Sequence, residues 1–182
     1  MLTSGPFTFL FTDIEGSTEL WERRAAEMRG ALELHDRVLR QSIESASGRV
    51  VKTTGDGVLA VFDNAEEAVG AAIAVQRALQ AAAASDPSAP VVLKVRMGLH
   101  TGEAVVRGGD YFGSSVNRAA RVMSAAHGEQ ILLSAATARL VCDAPLNGVA
   151  LRELGELRLK GLPHPELLLQ VVASGLRAQF PP

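Results

Sequence analysis

The sequence lacks the features that mark secreted, metal-thiolate and membrane-spanning chains. Cys142 is the only cysteine among 182 residues, so the chain can form neither an internal disulfide nor a thiolate metal cluster, which fits a reducing compartment. No uninterrupted apolar run approaches the roughly 20 residues of a membrane span. The N-terminal MLTSGP has no basic segment of the kind that begins a signal peptide. We therefore expect a cytoplasmic protein.

An excess of charge of one sign is also missing. The 18 Lys and Arg residues nearly balance the 20 Asp and Glu residues and no basic block occurs, so neither a nucleic-acid nor an anionic-membrane surface is indicated. Apolar residues make up 47% of the chain, which is enough for one compact domain with a core. We expect residues 1–173 to form that domain and the Pro-ended segment 174–182 to be a frayed tail.

The first half of the chain predicts a strand, a long helix and a hairpin. Alternating apolar residues predict a strand that ends near Asp13. Apolar residues at helical spacing then predict a helix that begins near Ser17 or Thr18 and ends at Gly48. Two β-rich runs, RVVKTT and VLAVF, flank GDG, which predicts a hairpin with Asp56 at its tip.

The second half of the chain repeats this alternation of helices and strands. Asn64 is expected to cap a second helix that runs to about Ala84, and a strand or strand pair follows from Val91. The later segments are a helix over FGSSVNRAARVMSAA, a strand QILLS, a short helix from Ser134 and two strands around KGLPHPE. The order β-α-β-β-α-β with C-terminal additions predicts an α+β sheet with helices on one face, similar to a ferredoxin-like core.

Two acidic residues end neighbouring predicted strands. Asp13 and Asp56 are expected to face each other, because the first strand of such a unit commonly lies beside the hairpin that it feeds. Two close carboxylates repel unless a cation or a proton separates them, which favours a hard divalent metal such as Mg²⁺ or Mn²⁺. The alternative interpretation is that Asp13 caps a helix and Asp56 fills a turn.

Three small residues after the first acid suit an oxygen anion. Gly16, Ser17 and Thr18 begin a predicted helix, where exposed N–H groups can bind phosphates. The sequence contains no GxxxxGK[ST], which excludes a P-loop. GDGVLA formally satisfies a dinucleotide fingerprint but is followed by a predicted strand where that fingerprint needs a helix.

Other polar residues could bind the rest of a ligand. Asn117 and Arg121 are four residues apart on a predicted helix and share one face, so they could hold a sugar oxygen and a phosphate, or form a solvent-facing pair. Lys52 and Arg96 interrupt apolar runs, and each could instead be a long side chain that reaches water from a sheet edge.

Four stretches in order, FTFLFTDIEGST, KTTGDGVLAVF, VRMGLHTG and DYFGSSVNRAARV, resemble the catalytic domain of class III nucleotidyl cyclases, the adenylate and guanylate cyclase family. The similarity covers about residues 5 to 172 and is nearest to the bacterial, mycobacterial-type branch. Each stretch alone is weakly specific, whereas four with compatible spacing are highly specific. The resemblance implies a cyclase homology domain built on the ferredoxin-like core.

The resemblance also implies roles for the residues that match family motifs. Asp13 and Asp56 match the ligands of two divalent metal ions, Mg or Mn, with help from the Ile14 carbonyl. Lys52 and Asp110 match the pair that recognises adenine. These two sets would bind opposite ends of one nucleotide.

The remaining matches concern the sugar and the phosphates. Asn117 matches the residue that orients the ribose, and Arg121 matches the one that stabilises the transferring α-phosphate. Arg96 matches a contact to the terminal phosphates. The family's phosphate-binding lysine falls at or near Leu162, whereas this chain has Lys160 two residues earlier.

The implied assembly is a head-to-tail homodimer with two composite active sites, because each site in the family combines metal ligands from one domain with base- and ribose-binding groups from the other. The implied reaction is the conversion of ATP to 3′,5′-cyclic AMP and pyrophosphate, since Lys52 donates and Asp110 accepts as adenine requires. Guanylate cyclases of the family usually carry Glu and Cys at these two positions. No side chain in the motifs is an obvious general base.

Three other functions compete with this one. The first is a cyclase that uses GTP or both nucleotides. The second is a catalytically silent nucleotide-binding module of the same fold, against which the intact Asp13, Asp56, Asn117 and Arg121 argue. The third is a palm-like polymerase or diguanylate cyclase, which shares the core, but the sequence lacks a GGDEF-type run.

Overall fold

The computed structural model describes residues 3–89, 91–143 and 146–181. Six residues of the predicted domain and tail lie outside these ranges: Met1, Leu2, Pro90, Ala144, Pro145 and Pro182. These ranges form four helices and an eight-stranded sheet. The elements in chain order are β1 (Thr3–Ile14), α1 (Ser17–Ser45), β2 (Arg49–Thr53), β3 (Val58–Phe62), α2 (Ala65–Ser85), β4 (Val95–Arg107), β5 (Asp110–Phe112), α3 (Ser114–Ser124), β6 (Ile131–Ser134), α4 (Ala135–Asp143), β7 (Val149–Leu157) and β8 (Glu166–Ala173).

The sheet has the strand order β2-β3-β1-β4-β6-β8-β7, and β5 pairs with the far end of β4. β1 lies between β3 and β4 and is antiparallel to both, with Phe9 opposite Val61 on one side and His100 on the other. β4 and β6 are parallel, and β7 and β8 form the C-terminal hairpin. This arrangement confirms the predicted α+β fold with extra C-terminal strands.

The helices cover both faces of the sheet, which corrects the expectation of helices on one face. Alternate strand residues such as Leu10 and Leu99 pack against α1, α2 and α4 in the main core. On the opposite face, Phe9 and its neighbours pack with Ala119 of α3, and Val122 of α3 packs with Leu132 of β6. α3 therefore lies alone among the described helices on the second face. In the described ranges no helix combines the length and apolar character needed to cross a bilayer.

Segment 174–181, expected to be frayed, is held against the domain. The side-chain amide of Gln170 donates to the Ala178 carbonyl at 3.0 Å. The Phe180 ring lies parallel to the His127 imidazole, with 6.2 Å between centroids. The fraying expected from the proline-ended composition stays a prediction.

Candidate active site

Asp13 is the second-to-last residue of β1 and lies directly opposite Arg96 of β4. The Arg96 Nε donates to Asp13 Oδ2 at 2.8 Å, and Nη2 donates to the same oxygen. The two side chains keep 22% and 31% of their surface exposed, so the pair is reachable from solvent but partly desolvated. Asp13 does not cap α1, because the residue that precedes the first turn is Gly16.

The β2–β3 turn carries Asp56 and is anchored beside the last residues of β1. The Thr54 N–H donates to the Gly57 carbonyl at 2.8 Å, and the Val58 N–H donates to Thr12 Oγ1 at 3.0 Å. A β-carbon on Gly57 would lie 2.1 Å from the Thr12 carbonyl oxygen, so a larger residue would push the turn away. The Thr12 hydroxyl and Gly57 thus hold the turn that carries Asp56 close to Asp13.

The two acids interact electrostatically, as the sequence predicted. Burial raises the pKa of Asp13, the hydrogen bond from Arg96 opposes that rise, and the nearby Asp56 carboxylate adds to it. A divalent cation between these carboxylates would relieve their repulsion, and oxygen donors are the ligands that Mg²⁺ and Mn²⁺ prefer. Among the described residues no group of three or more His, Cys, Asp or Glu could hold a metal. The predicted donor set of Asp13, Asp56 and the Ile14 carbonyl contains only two such side chains, and it stays a prediction.

The start of α1 lies immediately after these donors. Gly16 precedes the helix with φ of 70°, a left-handed conformation that favours glycine, and the Leu20 N–H donates to its carbonyl at 3.2 Å. The amides of Ser17 and Thr18 belong to the first turn, which has no carbonyl partner within the helix. Gly16 also brings no side chain to cap them. This is the predicted location for an oxygen anion.

Lys52 and Asp110 are in contact although 58 residues separate them. The Lys52 ammonium donates to both carboxylate oxygens of Asp110, at 3.0 and 3.2 Å. The Tyr111 N–H donates to Asp110 Oδ1 at 2.8 Å and fixes the orientation of the carboxylate. The pKa of Asp110 is lowered, first by the hydrogen bond from Lys52 and then by that from the Tyr111 amide. The Asp110 carboxyl is therefore ionised at neutral pH.

The β4–β5 hairpin places Asp110 next to Lys52 because it folds over the face of the sheet on which α3 packs. The Tyr111 ring meets Phe7 and Phe9 edge to face, with centroids 5.1 and 5.7 Å apart. The Tyr111 hydroxyl accepts a hydrogen bond from Arg49 of β2 at 3.1 Å. These contacts hold β5 beside β2, which places Asp110 within reach of Lys52.

Asn117 and Arg121 lie exposed on α3, the helix of the second face. The Arg121 guanidinium adjoins the β7–β8 loop, since a β-carbon on Gly161 would lie 3.8 Å from its Nε and Nη2. Lys160 is the preceding residue of that loop and is exposed, whereas Leu162 is half-buried. The loop that contains the predicted phosphate-binding position therefore contacts Arg121.

Sequence reasoning missed two residues that support this region. Thr12 supplies the hydroxyl that anchors the Asp56 turn. Glu15 accepts a hydrogen bond from the Gly128 N–H at 3.0 Å and ties the start of α1 to the loop after α3. Both lie inside FTDIEGST, but a polar residue in a local motif does not indicate which distant backbone group it will contact.

The chain is similar to known proteins of one family. The family model of the adenylate and guanylate cyclase catalytic domain matches residues 2–172. The chain belongs to this family. An uncharacterized protein of Mycobacterium tuberculosis is 36% identical over 181 residues, covering 98% of this chain and 60% of that protein. An adenylate cyclase of Neurospora crassa is 31% identical over 95% of this chain and 10% of its own length.

The solved structures agree with the family assignment. The adenylyl cyclase CyaB from Pseudomonas aeruginosa is 28% identical to this cyclase domain, with a TM-score of 0.85 over 96% of this chain and 97% of that one. Class III cyclases act on nucleotides, generally use divalent metal ions and commonly dimerise. This chain spans 60% of the length of the Mycobacterium tuberculosis relative and 10% of that of the Neurospora crassa relative.

Proposed function

We propose that this cyclase domain is an adenylate cyclase that converts ATP to 3′,5′-cyclic AMP and pyrophosphate. The observation that carries the choice of base is the contact between Lys52 and Asp110. Adenine presents an N6 amino donor and an N1 acceptor, whereas guanine reverses both. Asp110 accepts from the amino group and Lys52 donates to the ring nitrogen. The names of the Neurospora crassa and Pseudomonas aeruginosa proteins support the same choice.

Opening this pair to admit the base costs little. Lys52 keeps 47% of its side chain exposed and Asp110 keeps 36%, and water screens the attraction in an exposed ion pair so that the pair contributes little to stability. The Tyr111 amide holds the carboxylate in place while the lysine moves. The pair therefore supplies the donor and the acceptor that adenine needs, and separating the two side chains costs little free energy of binding.

The active site is shared between two chains in this proposal. Lys52 and Asp56 stand four residues apart in one hairpin, so their α-carbons are separated by at most about 14 Å. They lie too close in sequence for one chain to bind both ends of an extended nucleotide. One chain gives Asp13 and Asp56, and its partner gives Lys52, Asp110, Asn117 and Arg121. The exposure of Lys52, Asn117 and Arg121 fits groups that await a second surface.

The reaction is an in-line displacement within one ATP molecule. The ribose 3′-oxygen forms a bond to the α-phosphorus, its proton leaves, and the bond from the α-phosphorus to the bridging oxygen of pyrophosphate breaks. Asn117 orients the ribose so that the hydroxyl faces the phosphorus, a positioning effect that lowers the barrier. Arg121 donates to the α-phosphate oxygens, whose charge grows in the transition state, and losing such a donor typically costs about 2.7 to 4 kcal/mol.

Other residues hold the triphosphate. Gly16, Ser17 and Thr18 offer backbone donors, Arg96 contacts the terminal phosphates, and Lys160 reaches them from the loop beside Arg121. Two divalent ions held by Asp13, Asp56 and the Ile14 carbonyl would lower the pKa of the 3′-hydroxyl and neutralise the departing pyrophosphate. Arg96 must then share Asp13 with a metal ion or leave it for the phosphates.

His100, the histidine nearest these motifs, is structural. Burial, and to a smaller extent the Arg118 charge, lower the pKa of His100 to about 4. Its Nδ1 lies 2.8 Å from Ser134 Oγ, and the side chain is buried. An imidazole in this position would not take the 3′-hydroxyl proton.

The direct test is product formation. Purified protein is incubated with ATP or GTP and Mn²⁺, and the products are separated by chromatography, with Asp13→Ala as the blank. Cyclic AMP from the wild type alone supports the proposal, and cyclic GMP in equal or greater amount supports the GTP or dual-specificity alternative. ATP binding by a dimer without any cyclic product supports the silent binding module.

The shared site is tested by mixing inactive variants. Asp56→Ala and Arg121→Ala should each be nearly inactive, and their mixture should regain activity because a heterodimer contains one intact site. Asp13→Ala mixed with Asp56→Ala is the matched control, since both changes fall in the same half-site and no intact site can form. Equal activity in the two mixtures, with heterodimers demonstrated in both, contradicts a shared site.

A further inference from the structure

The helix that carries Asn117 and Arg121 rests on a strand with little side-chain material beneath it. A β-carbon on Gly98 would lie 2.1 Å from the Met123 amide nitrogen, and one on Gly102 would lie 2.4 Å from Ser115 Oγ. α3 therefore packs almost backbone to backbone on β4. This contact fixes the height of the helix above the sheet. Rotation of α3 is opposed by the buried Ala119 and Val122 and by the Ser115 hydroxyl, which donates to the Glu103 carbonyl at 2.8 Å.

One side chain of α3 holds the helix from the side. Arg118 Nη1 donates to Glu166 Oε2 at 2.6 Å, and the Glu166 side chain is 8% exposed. Glu166 begins β8, opposite Leu157 of β7, so it lies at the base of the hairpin loop. Gly161 of the same loop adjoins Arg121. The ion pair thus joins α3 to the base of the loop that packs beside its functional arginine.

Arg118 is placed to control the direction in which its neighbours point. Successive residues of an α-helix are offset by about 100°, so Arg118 lies about 60° from Arg121 around the axis and about 100° from Asn117. A group roughly 5 Å from the helix axis moves by about 1 Å for each 10° of rotation. A misplacement of about 1 Å can cost about 10²-fold in rate.

We propose that Arg118 and Glu166 are positioning residues that set the rotation of α3, so that Asn117 and Arg121 face the composite site. The inference deepens the proposed cyclase function and rests on it. Glu166 is buried, and it accepts a hydrogen bond from a guanidinium, a kind of bond that is both strong and directional. The pair acts through Asn117 and Arg121 and does not contact the nucleotide.

The first test separates positioning from binding. Glu166→Gln should lower kcat by about 10- to 100-fold while the KM for ATP changes by less than about threefold, because Lys52 and Asp110 are held by other contacts. Arg118→Lys, which keeps the charge, should retain more activity than Arg118→Gln. Arg40→Gln, which breaks an exposed ion pair on α1, is the matched control and should behave as wild type. A Glu166→Gln enzyme with unchanged kcat, or with a loss that only equals its unfolded fraction, overturns the proposal.

The second test assigns the pair to a half-site. Glu166→Gln mixed with Asp56→Ala should regain activity to the level of the Arg121→Ala and Asp56→Ala mixture, whereas Glu166→Gln mixed with Arg121→Ala should not. Recovery in the second mixture instead of the first overturns the proposal, because the pair would then serve the metal half. Failure of the Arg121→Ala and Asp56→Ala reference mixture refutes the shared site itself.

The third test does not depend on activity. Amide hydrogen exchange over residues 114–124 should be at least about fivefold faster in Glu166→Gln than in Arg40→Gln, because a helix held on one side by an ion pair opens more readily without it. Unchanged exchange in this helix overturns the positioning role, whatever the turnover assays give.

Discussion

Gly98→Ala places a methyl group against the backbone of the functional helix. The new β-carbon would lie 2.1 Å from the Met123 amide nitrogen, 2.4 Å from its Cα and 2.7 Å from the Val122 carbonyl carbon. Ordinary van der Waals contact begins near 3.4 Å, so α3 must move outward by about 1.3 Å. Because the obstructing atoms are backbone, no change of rotamer can relieve the clash.

The displacement should affect catalysis more than folding. Overpacking of this kind typically costs about 1 to 3 kcal/mol of unfolding free energy, which for a chain of this size lowers Tm by roughly 2 to 4 °C per kcal/mol. The same movement carries Asn117 and Arg121 about 1 Å from their working positions, for which we expect about a 100-fold loss in kcat. Lys52 and Asp110, the proposed base-binding pair, lie on β2 and β5, so the KM for ATP should change little.

The assay measures kcat, KM and Tm for Gly98→Ala beside Gly30→Ala. Gly30 lies within α1 with no other group within 4 Å of an added β-carbon, so that control should gain about 0.5 to 1 kcal/mol in stability and keep its activity. A Gly98→Ala enzyme with wild-type kcat would show that α3 accommodates the methyl group without moving its functional residues, and the reasoning would be refuted.

Three further predictions concern other parts of the fold. The pKa of His100 is about 4 in the folded chain and about 6.5 in the unfolded chain, so stability should fall by about 3 kcal/mol as pH drops from 7 to 4. Chemical denaturation should show a smaller fall in His100→Gln than in the wild type. The control His164→Gln, in an exposed loop, should show the same fall as the wild type. Asn64→Ala removes the acceptor for two amides at the start of α2 and should cost about 0.5 to 2 kcal/mol in thermal unfolding with kcat unchanged; a lost kcat would contradict a purely local cap. Lys52→Glu with Asp110→Cys should shift the ratio of kcat/KM from ATP toward GTP in a competition assay, and an unchanged ratio would place base selection elsewhere.

The sequence predicted the position of the two acids because the information is local. Alternation along β1 shows where the strand ends, and GDG shows where the hairpin turns, so Asp13 and Asp56 could be placed without knowledge of the tertiary structure. The helices α1 and α2 were predicted for the same reason, since apolar spacing and the Asn64 cap are local signals.

The side of the sheet on which α3 packs could not be predicted in this way. Helical periodicity indicates which stripe of α3 is buried, but not which face of the sheet it is buried against. The decisive features are Gly98 and Gly102, whose meaning depends on the helix that approaches them. The Arg118–Glu166 pair spans 48 residues, and charged residues at that separation give no signal in a single sequence.

The position of Lys52 at the border of the sheet has a consequence for solubility. β2 is the last strand on its side, and a strand in that place offers unpaired backbone groups to any passing chain. A bulge between Val50 and Lys52 interrupts the ladder with β3, and the exposed ammonium disfavours the approach of another strand. An uncharged residue at position 52 would leave this border less protected. Specificity variants made there should therefore be checked for strand-mediated aggregation before a loss of activity is attributed to the base.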